Sequence, residues 1–136
     1  MFRKPGMLLP AVAALLFASL AHAGEPNVPS AKVTPMTQEQ LLEHQAKHAH
    51  HLFVLDVRTP AEYAEGHVPG AVNVPHDQLA SRLAEVPKDK DVVLYCRTGR
   101  RAALAADVLA SHGYTRLSHL EGDMQAWVEK GRPVQK

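Results

Sequence analysis

The chain has 136 residues, the length of one domain. Its 15 Lys and Arg against 14 Asp and Glu leave a net charge of +1, without the basic excess of a general nucleic-acid binder, so no nucleic-acid partner is expected. A hydrophobic content of 46 % excludes a largely disordered chain, and a single cysteine excludes an internal disulfide framework.

In chain order, Arg3-Lys4 precede a run from Met7 to Leu20 that is apolar except for Pro10 and Ser19, and Ala21-His22-Ala23 follows as a small-x-small site. This is the layout of a secretory signal peptide over residues 1–23, removed after Ala23 by ordinary Sec export. The run is short against the roughly 17–25 residues that span a bilayer. A periplasmic or secreted product with no membrane attachment is therefore expected. Losing Arg3 and Lys4 turns the net charge slightly negative. Residues 24–36, with Pro26, Pro29 and Pro35, read as a flexible leader, and residues 37–136 as the domain.

Thr37 with Gln40 three positions on is a capping box that opens a helix to about Lys47. Leu52-Phe53-Val54-Leu55 reads as a buried strand running into Asp56-Val57-Arg58. Thr59-Pro60-Ala61-Glu62 is a second helix start, with Pro at the first helical position, and that helix stops near Gly66. Ala71 to Val74 is a second strand, closed by Pro75. Asp77 is expected to cap a helix to about Glu85. The charged turn Lys88-Asp89-Lys90-Asp91 leads into Val92-Val93-Leu94-Tyr95-Cys96, whose unbroken apolarity suggests a strand covered on both faces. Arg100 to His112 is an alanine-rich helix stopped by Gly113. Arg116 to Leu120 is a weaker strand, and Asp123 to Lys130 a last helix with Trp127 on its apolar face. Alternating strands and helices give the α/β class, with a mostly parallel sheet and helices on both faces.

Ligands of such sheets bind beyond the carboxyl ends of the strands, where Cys96 falls. The loop Cys96-Arg97-Thr98-Gly99-Arg100-Arg101 runs from that strand into a helix, whose first N–H groups have no partner within the helix. Gly99 permits the tight turn that aims them inward, and three arginines add positive charge. A free thiol titrates near ~8.5, and sites of this kind bring thiols to about 3.5–7.5. The same donors suit the outer sulfur of a persulfide or the oxygens of an oxyanion. The competing reading of Cys96 is a small buried hydrophobe at a strand end.

Three motifs together resemble the single-domain rhodaneses, a family of sulfurtransferases, over residues 37–134. The first is Leu55-Asp56-Val57-Arg58, then Glu62-Tyr63, then Gly66-His67-Val68-Pro69-Gly70-Ala71-Val72-Asn73-Val74-Pro75. The second is the Cys96 loop, matching C-x-x-G-x-R. The third is Gly113-Tyr114, Leu120-Glu121-Gly122 and Ala126-Trp127, followed by Gly131 and Pro133-Val134. Where the family often has a second glycine, this chain has Asp123, a departure expected to affect only a turn. The resemblance implies a rhodanese-like, five-stranded mostly parallel sheet. It also implies sulfur transfer from thiosulfate or a similar anionic donor, through a Cys96 persulfide, to cyanide or a thiol. Cys96 is then the nucleophile, and the amides from Arg97 through Thr98, Gly99 and Arg100 to Arg101 form the cradle. Arg97 and Arg100 face the mouth, and Arg101 braces the loop. No cofactor and no metal is implied.

Cysteine phosphatases that share this fold use C-x5-R; here the loop is C-x4-R and position 102 is alanine, which argues for the tighter ring that suits sulfur. A noncatalytic or persulfide-carrier module of the periplasm is the alternative function. Asp56, Arg58 and Glu62 are expected to be structural, with Arg58 and Glu62 paired, and His67 likewise. His44, His48, His50 and His51 lie within one short stretch. The spacing of His44 and His48 could serve a metal, but no carboxylate or thiol is fixed beside them, so a solvated helix end is expected.

Overall fold

Five segments become strands because each offers a short apolar run bounded by turn residues. The computed structural model describes residues 32–136 and, before them, only Gly6; the signal-peptide reading of residues 1–23 and most of the leader lie outside the described residues. The strands are β1 (Val33–Met36), β2 (Leu52–Asp56), β3 (Val72–Asn73), β4 (Asp91–Tyr95) and β5 (Leu117–Leu120). The helices are α1 (Gln38–Lys47), α2 (Pro60–Glu65), α3 (Arg100–Ser111) and α4 (Asp123–Glu129). The sheet order is β1-β5-β4-β2-β3, and every pairing between these strands is parallel.

β4 lies at the centre, and its side chains alternate between two cores, which explains its continuous apolarity. Leu94 packs with Leu55, Ala105, Leu109 and Leu117 on the face covered by α3. Val93 and Tyr95 pack with Leu41, Leu120 and Trp127 on the face covered by α1 and α4. The capping boxes expected at Thr37 and Thr59 both form.

Two expectations about the secondary structure are corrected. The last residues of the leader are not free: Val33–Met36 is β1, paired from Val33↔Leu117 to Met36↔Leu120. Pro35 is compatible with this because β1 is an edge strand, where a missing N–H need not break the ladder. The stretch from Asp77 to Glu85 is not an α-helix but two 3-10 turns, Leu79–Ser81 and Leu83–Glu85. No side chain caps either turn, and the Ser81 hydroxyl donates to the Gln78 carbonyl at 2.9 Å, a local bond that competes with helix propagation. Leu79 is the residue these turns bury.

The carboxyl ends of β2 and β4 are tied by a buried polar network. Arg58 donates from Nη2 to Asp56 Oδ2 at 2.7 Å and from Nε to Asp56 Oδ1 at 3.0 Å, and Nη2 also reaches the Gly66 carbonyl at 2.8 Å. Tyr95 donates its hydroxyl to Asp56 Oδ2 at 2.7 Å and accepts the Val68 N–H at 3.1 Å. Burial, with Asp56 beside it, pushes the Tyr95 phenol far above its ordinary range. Arg58 therefore pairs with Asp56 and not, as its spacing suggested, with Glu62. The reason is reach: Arg58 follows a strand end and folds back onto the residue two before it, so helical spacing does not apply.

Removing one member of a buried ion pair strands the other charge. Arg58→Met is expected to cost about 3–5 kcal/mol of stability, measured as a loss in the free energy of urea unfolding.

Candidate active site

Cys96 follows the last residue of the central strand and is only 1 % exposed. The chain then turns through Arg97, Thr98 and Gly99 into α3. Gly99 adopts φ +116°, a left-handed conformation that L side chains rarely take, and a Cβ there would lie 3.2 Å from Asp123 Oδ2. That turn brings the Gly99 N–H to 3.0 Å from Cys96 Sγ. No side chain caps α3. Its start therefore leaves main-chain donors for the loop and for whatever the loop holds.

The other loop residues separate by exposure. Arg97, Thr98 and Arg100 are exposed, and neither Arg97 nor Arg100 has an ion-pair partner among the described residues. Arg101 is half-buried and gives a two-pronged bond to Glu62, Nη1 to Oε1 at 2.7 Å and Nη2 to Oε2 at 3.0 Å. Glu62 also closes the capping box of α2. The Arg101 bond, helped by Thr59 and opposed by burial, lowers the Glu62 carboxyl to about 2. Arg101 thus braces the loop against α2, and its guanidinium is committed there. A cavity of about 580 Å³ opens beside the loop, lined by Arg97, Arg58, Glu62, Met124, Gln125 and Val128 among others.

α4 holds the loop from behind. The Met124 N–H donates to the Cys96 carbonyl at 2.9 Å and the Gln125 N–H to the Arg97 carbonyl at 3.2 Å. Asp123 takes the remaining main-chain group of Cys96: its Oδ1 accepts the Cys96 N–H at 3.0 Å. The same carboxylate lies 2.9 and 3.1 Å from His119 Nε2. Asp123 is 1 % exposed and has φ +55°. The expectation that the residue in the glycine's place affects only a turn is therefore corrected: its side chain is bonded to the cysteine's own backbone. Sequence reading missed Asp123 and His119 as site residues. The visible signal was a charged residue standing where small and neutral was expected, with a histidine four positions before it.

His67 is buried, donates from Nδ1 to the Tyr63 carbonyl at 2.9 Å, and stacks on Tyr63 with ring centroids 3.6 Å apart. In the histidine-rich stretch, His44 and His48 meet edge to face at 6.0 Å, and His50 and His51 pair at 4.1 Å. Among the described residues no group of three or more His, Cys, Asp or Glu is arranged to hold a metal ion, and no helix is long and apolar enough to cross a membrane.

Residues 37–130 match the family described as Rhodanese-like domain. A protein of Allochromatium vinosum named a sulfurtransferase is 42 % identical over 83 residues, 61 % of this chain and 78 % of that protein. The thiosulfate:glutathione sulfurtransferase of Saccharomyces cerevisiae is 36 % identical over 98 residues, covering 62 % of this chain and 70 % of the yeast protein. Among solved structures, a rhodanese-related protein of Thermoplasma volcanium superposes with a TM-score of 0.66 at 29 % identity, over 75 % of this chain and 97 % of that one.

The Glu62–Arg101 bond has a pH signature. A carboxyl lowered on folding stabilises the fold fully above its unfolded value, near 4.5, and that contribution is lost as pH falls toward 2. Since the pair is about a quarter exposed, Glu62→Gln is expected to cost about 1 kcal/mol at pH 7 after solvent screening. Urea unfolding at stepped pH should show that difference close between pH 4.5 and 2.

Proposed function

The chain belongs to the rhodanese-like family, and from that premise we propose that it is a sulfurtransferase that carries a sulfane sulfur as a persulfide on Cys96. The observation that carries the reading is the Gly99 N–H at 3.0 Å from Cys96 Sγ, at the uncapped start of α3. An anionic donor such as thiosulfate brings its outer sulfur to the Cys96 thiolate. A sulfur–sulfur bond forms to Cys96, the bond inside the donor breaks, and sulfite leaves with the electron pair. The product is a persulfide anion whose terminal sulfur accepts the loop's main-chain donors. Cyanide then attacks that terminal sulfur and leaves as thiocyanate, or a thiolate leaves as its own persulfide. In either case the bond to Cys96 breaks and its thiolate is restored. Dividing one transfer into two displacements is the gain of a covalent intermediate.

Both steps bring an anion to an anion, which is where Arg97 and Arg100 act. They are exposed at the mouth and free of ion-pair partners among the described residues, so their charge is available to steer and hold a small anion. The named substrates of the yeast relative favour thiosulfate as donor and a thiol as acceptor. The committed geometry of Arg101 argues against its acting as the oxyanion clamp of a phosphatase. We place the reaction in the periplasm or outside the cell, on the basic, apolar and small-x-small pattern of residues 1–23.

The 1 % exposure of Cys96 favours a second reading, a noncatalytic or persulfide-carrier module. Mass spectrometry separates them. After thiosulfate treatment the sulfurtransferase gains one sulfur atom on Cys96, and cyanide removes it as thiocyanate at each turnover; a carrier holds the sulfur without turning over; a noncatalytic module gains none. Cys96→Ser is expected to abolish thiocyanate formation, and full turnover by that variant contradicts the mechanism. Arg97→Ala combined with Arg100→Ala should raise KM for thiosulfate by about tenfold in steady-state assays, an effect that shrinks as salt is added.

A further inference from the structure

Asp123 occupies a left-handed backbone conformation, φ +55°, that glycine takes freely and that few side chains adopt. Its buried carboxylate is bonded on one side to the N–H of Cys96 and on the other to His119. A buried negative charge one backbone group from the sulfur opposes the anionic sulfur that both transfer steps need. His119 supplies the compensation. It projects from β5, half-buried, and shares with Gly99, Leu94, Ala102 and Val33 a cavity of about 370 Å³ under the start of α3. The bond to Asp123 raises the imidazole above its ordinary value, against the effect of its burial. The other titratable groups that face it are Glu121, just beyond β5, and Asp107 of α3 across the same cavity.

We propose that Asp123 and His119 form a charge-compensated positioning pair for Cys96: the carboxylate fixes the main chain that carries the sulfur, and the imidazolium cancels the carboxylate's charge at that sulfur. Neither side chain touches the donor. The pair acts through Cys96, and its role rests on the sulfur-transfer reading. His119 is required because Asp123 is charged; a chain with glycine at this position needs no such histidine.

The test is a double-mutant comparison of Cys96 alkylation by iodoacetamide at pH 7, where an ordinary imidazole is largely neutral and the bond to Asp123 favours the charged form of His119. This rate reports the nucleophilicity of the sulfur and needs no sulfur-transfer activity. His119→Gln is expected to slow alkylation roughly tenfold, because a neutral donor leaves the carboxylate's charge in place. In the Asp123→Asn background, the same His119→Gln change is expected to cost less than about twofold. No effect of His119→Gln, or an equal loss in both backgrounds, overturns the proposal, since a merely structural histidine behaves in one of those two ways. Thermal unfolding of each variant verifies that it is folded; should Asp123→Asn fail there, Asp123→Gly, which suits the positive φ, serves as the uncharged background. Persulfide formation on the native protein with thiosulfate is followed separately: its absence removes the sulfur-transfer reading, while the alkylation comparison still decides the coupling between the pair and Cys96.

Discussion

The structure turns on one contact: a main-chain N–H held against a sulfur at the end of a central strand. The Gly99 amide reaches Cys96 Sγ only because the chain reverses at a left-handed residue between β4 and α3, and because α3 starts with no side chain taking up its first donors. Each condition is ordinary alone. Their coincidence at the carboxyl edge of a parallel sheet sets a main-chain donor against a thiol where ligands of such sheets bind.

In the proposed reaction the loop holds an anionic sulfur and must not relax away from it. Here the main chain of Cys96 is gripped at both polar groups, its N–H by the Asp123 carboxylate and its carbonyl by the Met124 N–H, while the Gln125 N–H holds the next carbonyl. Arg101 anchors the far end of the loop to Glu62, and Glu62 is itself fixed in the capping box of α2. Beneath this, the Asp56–Arg58–Tyr95 network joins the ends of β2 and β4, so the strand that presents Cys96 cannot shift independently of its neighbour. The Gly99 donor is therefore held in place by its surroundings, as preorganised stabilisation in the proposed reaction requires. The exposed arginines, by contrast, are long and unrestrained, which suits capture of a small anion more than its precise placement.

Much of this was legible in the residues. The unbroken run Val92 to Tyr95 marked the central strand, Thr37 and Thr59 marked two helix starts, and Gly99 followed by arginines marked the turn. What escaped did so for physical reasons. Val33–Met36 forms a strand because β5 offers an edge to pair with, a tertiary cause that three nearby prolines obscured. The stretch after Asp77 carries helix-forming residues but closes as 3-10 turns around a single buried leucine. Arg58 and Glu62 are spaced for a helical pair, yet each finds a partner far from that geometry, Asp56 behind the strand and Arg101 across the loop. Asp123 was visible as a departure from a glycine, but that its carboxylate lands on the N–H of Cys96 depends on how α4 packs behind the loop. No local spacing encodes that.

The most direct measurement of the central claim is a crystal structure of the protein after thiosulfate treatment. The account predicts added density on Cys96 Sγ, with the terminal sulfur inside the loop and within hydrogen-bond distance of amides between Arg97 and Arg101. A terminal sulfur pointing out of the loop, away from those amides, would contradict it.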